Sequence, residues 1–204
     1  MIMRLVKTSQ DAKSDSALMD IIAKGDIHAL GDLYLRHSNS VRAMLGYIAP
    51  QMTSHDVDDM TQEVFLSLGK SARSYVNQFQ FKAFLFRIVV NRARDWQRRN
   101  WLRLSIFKYD STQDNTVQTS VDESDPAKNA ILRQTVRQAV KTLSPKQREV
   151  IILHAIEGFK CNEIATILSV SPKTVRTRLY RARQAVLQNH QIKIWREAMN
   201  ERLQ

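Results

Sequence analysis

The sequence predicts an all-α protein, two small helical domains joined by a flexible linker, and three observations predict it. Glycine and proline are scarce, 5 and 4 of 204 residues, and no segment sustains the alternation of a half-buried strand. Apolar residues recur three and four apart instead, as in Ile22, Leu30, Leu33 and Tyr34, then Val41, Met44, Leu45 and Ile48. That spacing gathers one face of a helix. Between two such regions the chain from Ser105 to Asn129 loses the period and turns polar.

In chain order, the periodic segments before the linker read as four helices. Breaks fall near Gly25, around Ala49 to Ser54 and around Ser74 to Gln80, and the last helix runs from Phe81 to about Trp101. The expected organisation is an extension over 1–19, a helical domain over 20–103, a linker over 104–129, a second helical domain over 130–190 and a tail over 191–204. The linker's acids (Asp110, Asp114, Asp122, Glu123, Asp125) outnumber Lys108 and Lys128, so it is negative in a chain of net charge +11. A protein this basic commonly meets a polyanion, nucleic acid above all, although solubility alone also explains charge.

A single cysteine, Cys161, excludes a disulfide framework. It reads as a small residue on a helix. No apolar run approaches the roughly 18 residues of a membrane span, and Met1 to Lys7 has no long apolar core of a signal peptide. A cytoplasmic protein without membrane insertion is expected.

The second domain is the more explicit. Ser144-Pro145-Lys146-Gln147 is a helix start: a capping serine, proline at the first helical position and glutamine three residues after the serine. That helix carries Val150, Ile151, Leu153 and Ile156 and stops at Gly158. A short helix, Glu163 to Leu168, is followed by the turn Ser169-Val170. Ser171-Pro172-Lys173-Thr174 then opens another helix. Two short helices across a tight turn make a helix-turn-helix. In the second of them, Val175, Leu179 and Ala182 share an inward face. Ser171, Lys173, Thr174, Arg176, Thr177, Tyr180 and Arg181 are left outward. A major-groove recognition helix has that layout, with base edges met near its N-terminus and phosphates by flanking cations; a solvated basic face is the plainer alternative.

Two constellations mark the first domain. His55-Asp56-Val57-Asp58-Asp59-Met60-Thr61-Gln62-Glu63-Val64-Phe65 sets Asp56, Asp59 and Glu63 along one helix face. Val57, Met60, Val64 and Phe65 form its apolar side. The acids fit a protein-docking surface, favourable charge at a helix start, or a metal site. From Tyr75 to Trp101, seven of the fifteen aromatics (Tyr75, Phe79, Phe81, Phe84, Phe86, Trp96, Trp101) stand among Lys82, Arg87, Arg92, Arg94, Arg98 and Arg99. Only Asp95 opposes these cations. Cations tracking phosphates beside aromatics that receive bases fit single-stranded nucleic acid. Phe81, Phe84, Leu85 and Ile88, at helical spacing, are expected in the core, and the 75–80 loop is the better candidate to meet a base.

In this order, the motifs resemble the extracytoplasmic function sigma factors of the sigma-70 family. Asp58-Asp59-Met-Thr-Gln62-Glu63-Val-Phe65 is similar to the family's polymerase-clamp motif. Phe81 to Asn91, with Asp95-Trp-Gln-Arg98-Arg99, is similar to its −10 promoter helix. Leu143 to Glu149 and Glu163-Ile-Ala are similar to the start of its −35 module. The resemblance implies a region 2-like bundle and a region 4-like helix-turn-helix, and a non-catalytic role without cofactor or metal. It implies docking on the β′ coiled coil of core RNA polymerase through Asp58, Asp59, Gln62, Glu63 and Phe65. Contacts to −10 DNA would come from Tyr75, Asn77, Gln78, Lys82, Arg87, Asn91, Arg94, Arg98 and Arg99, and −35 contacts from Ser171, Lys173, Thr174, Arg176, Thr177, Tyr180 and Arg181. The partners implied are core polymerase (β′ coiled coil and β flap), promoter DNA and, where one exists, an anti-sigma factor. Phe84, Lys160 and Ser169 depart from the family's usual tryptophan, capping hydroxyl and glycine. Two rivals remain: a ligand-sensing helix-turn-helix regulator, and a metal-dependent nuclease or recombinase using Asp56, Asp58, Asp59 and Glu63.

Overall fold

The computed structural model describes residues 13–75, 80–106 and 136–188, and among these all regular structure is helical. Four α-helices come first: α1 (Asp15–Ala23), α2 (Ala29–Ile48), α3 (Ser54–Lys70) and α4 (Phe81–Ile106), with a 3-10 turn at Ala72–Ser74. Then follow α5 (136–141), α6 (Pro145–Ala155), α7 (Cys161–Leu168) and α8 (Pro172–Gln188). Asn77, Gln78 and Phe79, the acidic linker beyond Ile106, the start of the second domain near Ala130, and the tail lie outside the described residues.

Local chemistry sets the helix starts. The Ser14 hydroxyl accepts from the Ala17 amide at 3.2 Å. Thr53 and Asp56 cap each other's amides at 2.9 and 3.1 Å, the reciprocal arrangement that satisfies two orphan donors. Gln147 accepts from the Ser144 amide and hydroxyl at 3.0 and 2.8 Å, and Ser171 accepts from the Thr174 amide at 3.1 Å. Gly25 (φ 106°) and Gly158 (φ 77°) take the left-handed conformations that follow α1 and α6. The first bundle begins earlier than expected: α1 opens at Asp15 and buries Leu18 and Met19, which the expected extension would have left outside. Likewise α4 runs to Ile106 rather than Trp101.

Ser169 closes α7 at φ 54°, ψ 49°. A Cβ in that region costs about 1–2 kcal/mol, and a glycine would not bear that cost. We therefore expect Ser169→Gly to stabilise the protein by about 1 kcal/mol and raise Tm by about 2–4 °C, read by thermal unfolding. An unchanged or lower Tm would show that the turn is relaxed.

The interior is continuous. Val41, Leu45, Val57, Val64, Leu68, Leu85 and Val89 fill the space among α2, α3 and α4, and Val150, Ile151, Ile164, Leu168, Val175 and Leu179 do so among α6, α7 and α8. These two sets join, because α6 lies against α2 and α7 against α4. Among the described residues no helix is long and apolar enough to cross a membrane.

Candidate polymerase- and DNA-binding surfaces

On α3 the acids separate by role. Asp56 is consumed as the reciprocal cap of Thr53, and Asp58 pairs with Arg42 of α2. Asp59, bonded to His55 at 2.9 Å, and Gln62 and Glu63 face solvent. No group of three His, Cys, Asp or Glu side chains that could hold a metal occurs among the described residues. Phe65 corrects the expectation of a docking contact. It is 3% exposed and meets Tyr34 edge-on, centroids 4.9 Å apart, because Thr61, Val64, Phe65 and Leu68 form the inward side of α3. The apolar residue beside the acidic face is Leu66, 59% exposed. Sequence periodicity could have found it, since it lies one turn on from Gln62.

Helix α4 carries the aromatic and basic constellation. Phe81, Leu85, Phe86, Val89, Val90 and Ala93 are buried, whereas Phe84 and Ile88 are only partly so. Tyr75, expected to meet a base, is half-buried: it packs edge-on to Phe84 at 5.2 Å, and its hydroxyl lies 3.3 Å from that of Ser16. Arg87, Asn91, Arg98 and Arg99 are exposed, and Arg98 pairs with Asp95 at 3.1 Å. Arg92 instead donates to Ser67 at 2.7 Å and ties α4 to α3.

Lys82 and Arg94 have a different setting. The Arg94 guanidinium donates through Nε and Nη2 to both oxygens of Glu149, each at 2.7 Å, the bidentate geometry of the strongest charge-assisted pairs. Glu149 is 2% exposed. Its hydrogen bonds raise the Arg94 pKa above the ordinary value, more than burial lowers it. Lys82 reaches Glu157 at 3.0 Å and lies over the rings of Phe86 and Phe159, 5.7 and 5.8 Å from their centroids. Sequence reasoning placed Glu149 only within the −35 motif and did not single out Glu157, and no local pattern marks either as the partner of an α4 cation.

Next to Glu149, Arg148 is 3% exposed. It donates to the carbonyls of Val140 (2.8 Å), Leu143 (2.9 Å) and Lys141 (3.4 Å), and to Ile48 at the end of α2 (3.0 Å). Gln97 of α4 donates to the same Ile48 carbonyl at 3.0 Å. Burial lowers the Arg148 pKa from its ordinary value and the adjacent Glu149 opposes that shift; an arginine nonetheless keeps its charge in proteins.

The α7–α8 pair is a helix-turn-helix. Lys160, in place of a capping hydroxyl, leaves its amide to Glu163, which accepts it at 2.7 Å. Val175, Leu179, Ala182 and Val186 anchor α8. Ser171, Lys173, Arg176, Thr177, Tyr180 and Arg181 are exposed, and Thr174 partly so. Ser171 and Thr174 also bond to each other at 2.8 Å, fixing the first turn of the helix.

Comparison with known proteins agrees with this geometry. Residues 33–103 match Sigma-70 region 2, and residues 133–186 match Sigma-70, region 4. The chain is 30% identical over 187 residues to the RNA polymerase sigma factor NccH of Alcaligenes xylosoxydans xylosoxydans, covering 89% of this chain and 99% of NccH. It belongs to the sigma-70 family of RNA polymerase sigma factors, in the extracytoplasmic function group. The ECF RNA polymerase sigma-E factor of Escherichia coli K12 is 28% identical, over 85% of this sigma factor and 92% of its own length. Among solved structures, CnrH in complex with the cytosolic domain of CnrY superposes with TM-score 0.62 at 26% identity, over 85% of this chain and 95% of CnrH. The sigma factor RpoE of Bartonella quintana, solved with the anti-sigma factor NepR, shares the fold at TM-score 0.66 and 20% identity, over 80% of this chain and 97% of its own. The helix-turn-helix regulator reading is thereby disfavoured.

Proposed function

We propose that this sigma factor divides its work between two modules, residues 20–103 with α1 added and residues 130–190, connected by the acidic linker over 104–129. In this reading Asp59, Gln62 and Glu63 on α3 dock on the β′ coiled coil of core polymerase, with Asp58 holding α2 to α3 behind them. The exposed cations of α4, with Asn91 and the 75–80 loop, take the unpaired −10 strand. Helix α8 reads the −35 duplex through Ser171, Lys173, Thr174, Arg176, Thr177, Tyr180 and Arg181. The observation that carries the reading is that one chain presents a solvent-facing acidic helix face and two separate basic helices, where a simple repressor needs only one DNA-reading helix.

The mechanism requires no covalent chemistry and no cofactor. Unstacking and unpairing bases costs a few kcal/mol, offset by capture of the exposed strand and by anchorage at −35 and on polymerase. The open state wins because the protein binds it better than the closed duplex. Such a subunit works in the cytoplasm, where the polymerase is. A regulatory protein partner of the anti-sigma kind fits too, as CnrH is found with the cytosolic domain of CnrY.

Reconstitution tests this. Purified chain plus bacterial core polymerase should start transcripts on a genomic promoter library, with mapped 5′ ends sharing two upstream motifs. Failure to associate with core polymerase overturns the proposal. Arg176→Ala or Arg181→Ala should weaken binding to the recovered −35 duplex by about tenfold while sparing random duplex; equal losses on both would assign those residues to phosphates alone.

A further inference from the structure

We infer that α1 serves the −10 site as a positioning element: Asp15 and Ser16, neighbours in its first turn, hold Tyr75, where the 75–80 stretch begins, and Phe81, which follows it. This rests on the assignment of that stretch, with α4, to the unpaired −10 strand. Helix α1 precedes residues 33–103, the part that matches Sigma-70 region 2, and its two residues act through others rather than on DNA. The Ser16 hydroxyl lies 3.3 Å from the Tyr75 phenol. The Tyr75 ring is set edge-on to Phe84 at 5.2 Å and to Phe81 at 6.4 Å. Asp15 reaches the other end through His37, whose Nε2 donates to Oδ2 at 2.8 Å and whose ring lies tilted against Phe81 at 5.1 Å.

The first turn of α1 is itself held fast, as a support must be. Leu18, Met19 and Ile22 are buried and seat the helix on the bundle. Arg36 of α2 donates to the Lys13 carbonyl at 2.7 Å and to Asp15 Oδ1 at 2.9 Å, so one carboxylate ties α1 to two consecutive residues of α2. Such fixing favours binding, because receiving groups held in place beforehand lose less freedom when a strand arrives. The Tyr75 phenol is thereby engaged by α1, and the residue anchors the stretch instead of meeting a base. A hydroxyl pair 3.3 Å apart is at the long end for a hydrogen bond between hydroxyls. It adds little to folding, so its loss registers at the DNA site before it registers in stability.

The test uses the full chain bound to core polymerase. Its probes are two fluorescein-labelled single strands, one carrying the −10 motif recovered from mapped promoters and one a scramble of the same bases. Ser16→Ala should lower the preference for the motif about threefold. Tyr75→Phe, which removes only the phenol hydroxyl, should lower it equally. The double variant should lose no more than either alone, since one shared contact can be lost only once. Ser16→Thr keeps a hydroxyl and should restore the native preference. Asp15→Ala releases Arg36 and His37 together and should cost about tenfold. Affinity for the scrambled strand and for −35 duplex should stay within about twofold of native throughout. Equal losses on both strands, additive losses in the double variant, or no loss at all would overturn the inference. Asn91→Ala separates it from the reading beneath: an unchanged preference there removes α4 from the −10 strand, and the role of α1 falls with it. If Asn91→Ala lowers the preference while the Ser16 and Asp15 variants keep it, only the role of α1 fails.

Discussion

Arg148→Met is expected to destabilise the free protein by about 3–5 kcal/mol, the largest single-residue effect we anticipate on folding. Its guanidinium sits where two helix ends converge. Val140, Lys141 and Leu143 offer carbonyls at the end of α5, and Ile48 offers one at the end of α2. Such carbonyls carry the negative end of the helix dipole. Methionine fills the volume but donates nothing: the Leu143 carbonyl is stranded at about 1–3 kcal/mol, and the Val140 and Ile48 carbonyls keep only the Leu143 amide and Gln97. Denaturant unfolding measures the loss; a change under about 1 kcal/mol would mean that water replaces the guanidinium. Arg148→Lys should recover part of the loss, as a compact ammonium cannot span all four acceptors.

The second large effect is on assembly. Asp59→Lys/Glu63→Lys should weaken binding to core polymerase at least a hundredfold, about 2.7 kcal/mol, and abolish promoter-specific transcription. Both side chains face solvent, so reversal should leave the fold intact apart from about 0.2–0.5 kcal/mol for two lysines four apart. Juxtaposing like charges at a complementary interface costs several kcal/mol. Binding to −35 duplex by the same variant should match the native chain. Core affinity within threefold of native would remove α3 from the docking surface.

Much of this architecture was legible in the sequence. Ser144-Pro145 with Gln147, and Ser171-Pro172 with Thr174, announced two helix starts through side-chain chemistry confined to four residues, and both form. Gly158 and Ser169 were legible for the same reason: a left-handed residue at a helix end is a local requirement. Phe65 carried two readings, on the apolar side of its helix by periodicity and in the docking set by resemblance; its burial against Tyr34 follows the periodicity. Similarly, Asp56 read as part of an acidic face and Asp58 as part of the motif beside it, yet one caps its own helix and the other is tied to Arg42. The pairing of Arg94 with Glu149 was out of reach. The partners are 55 residues apart, and each lies in a motif whose pattern is complete without the other.

The joined interior of the two modules also governs how the molecule comes apart. Residues that share one buried cluster open together, since exposing either half strips the other of its cover. The free protein is therefore a single cooperative unit, with the amides of α2, α4 and α6 protected to a common level. A change that opened either the α2–α6 or the α4–α7 contact would therefore lower the protection of both halves at once.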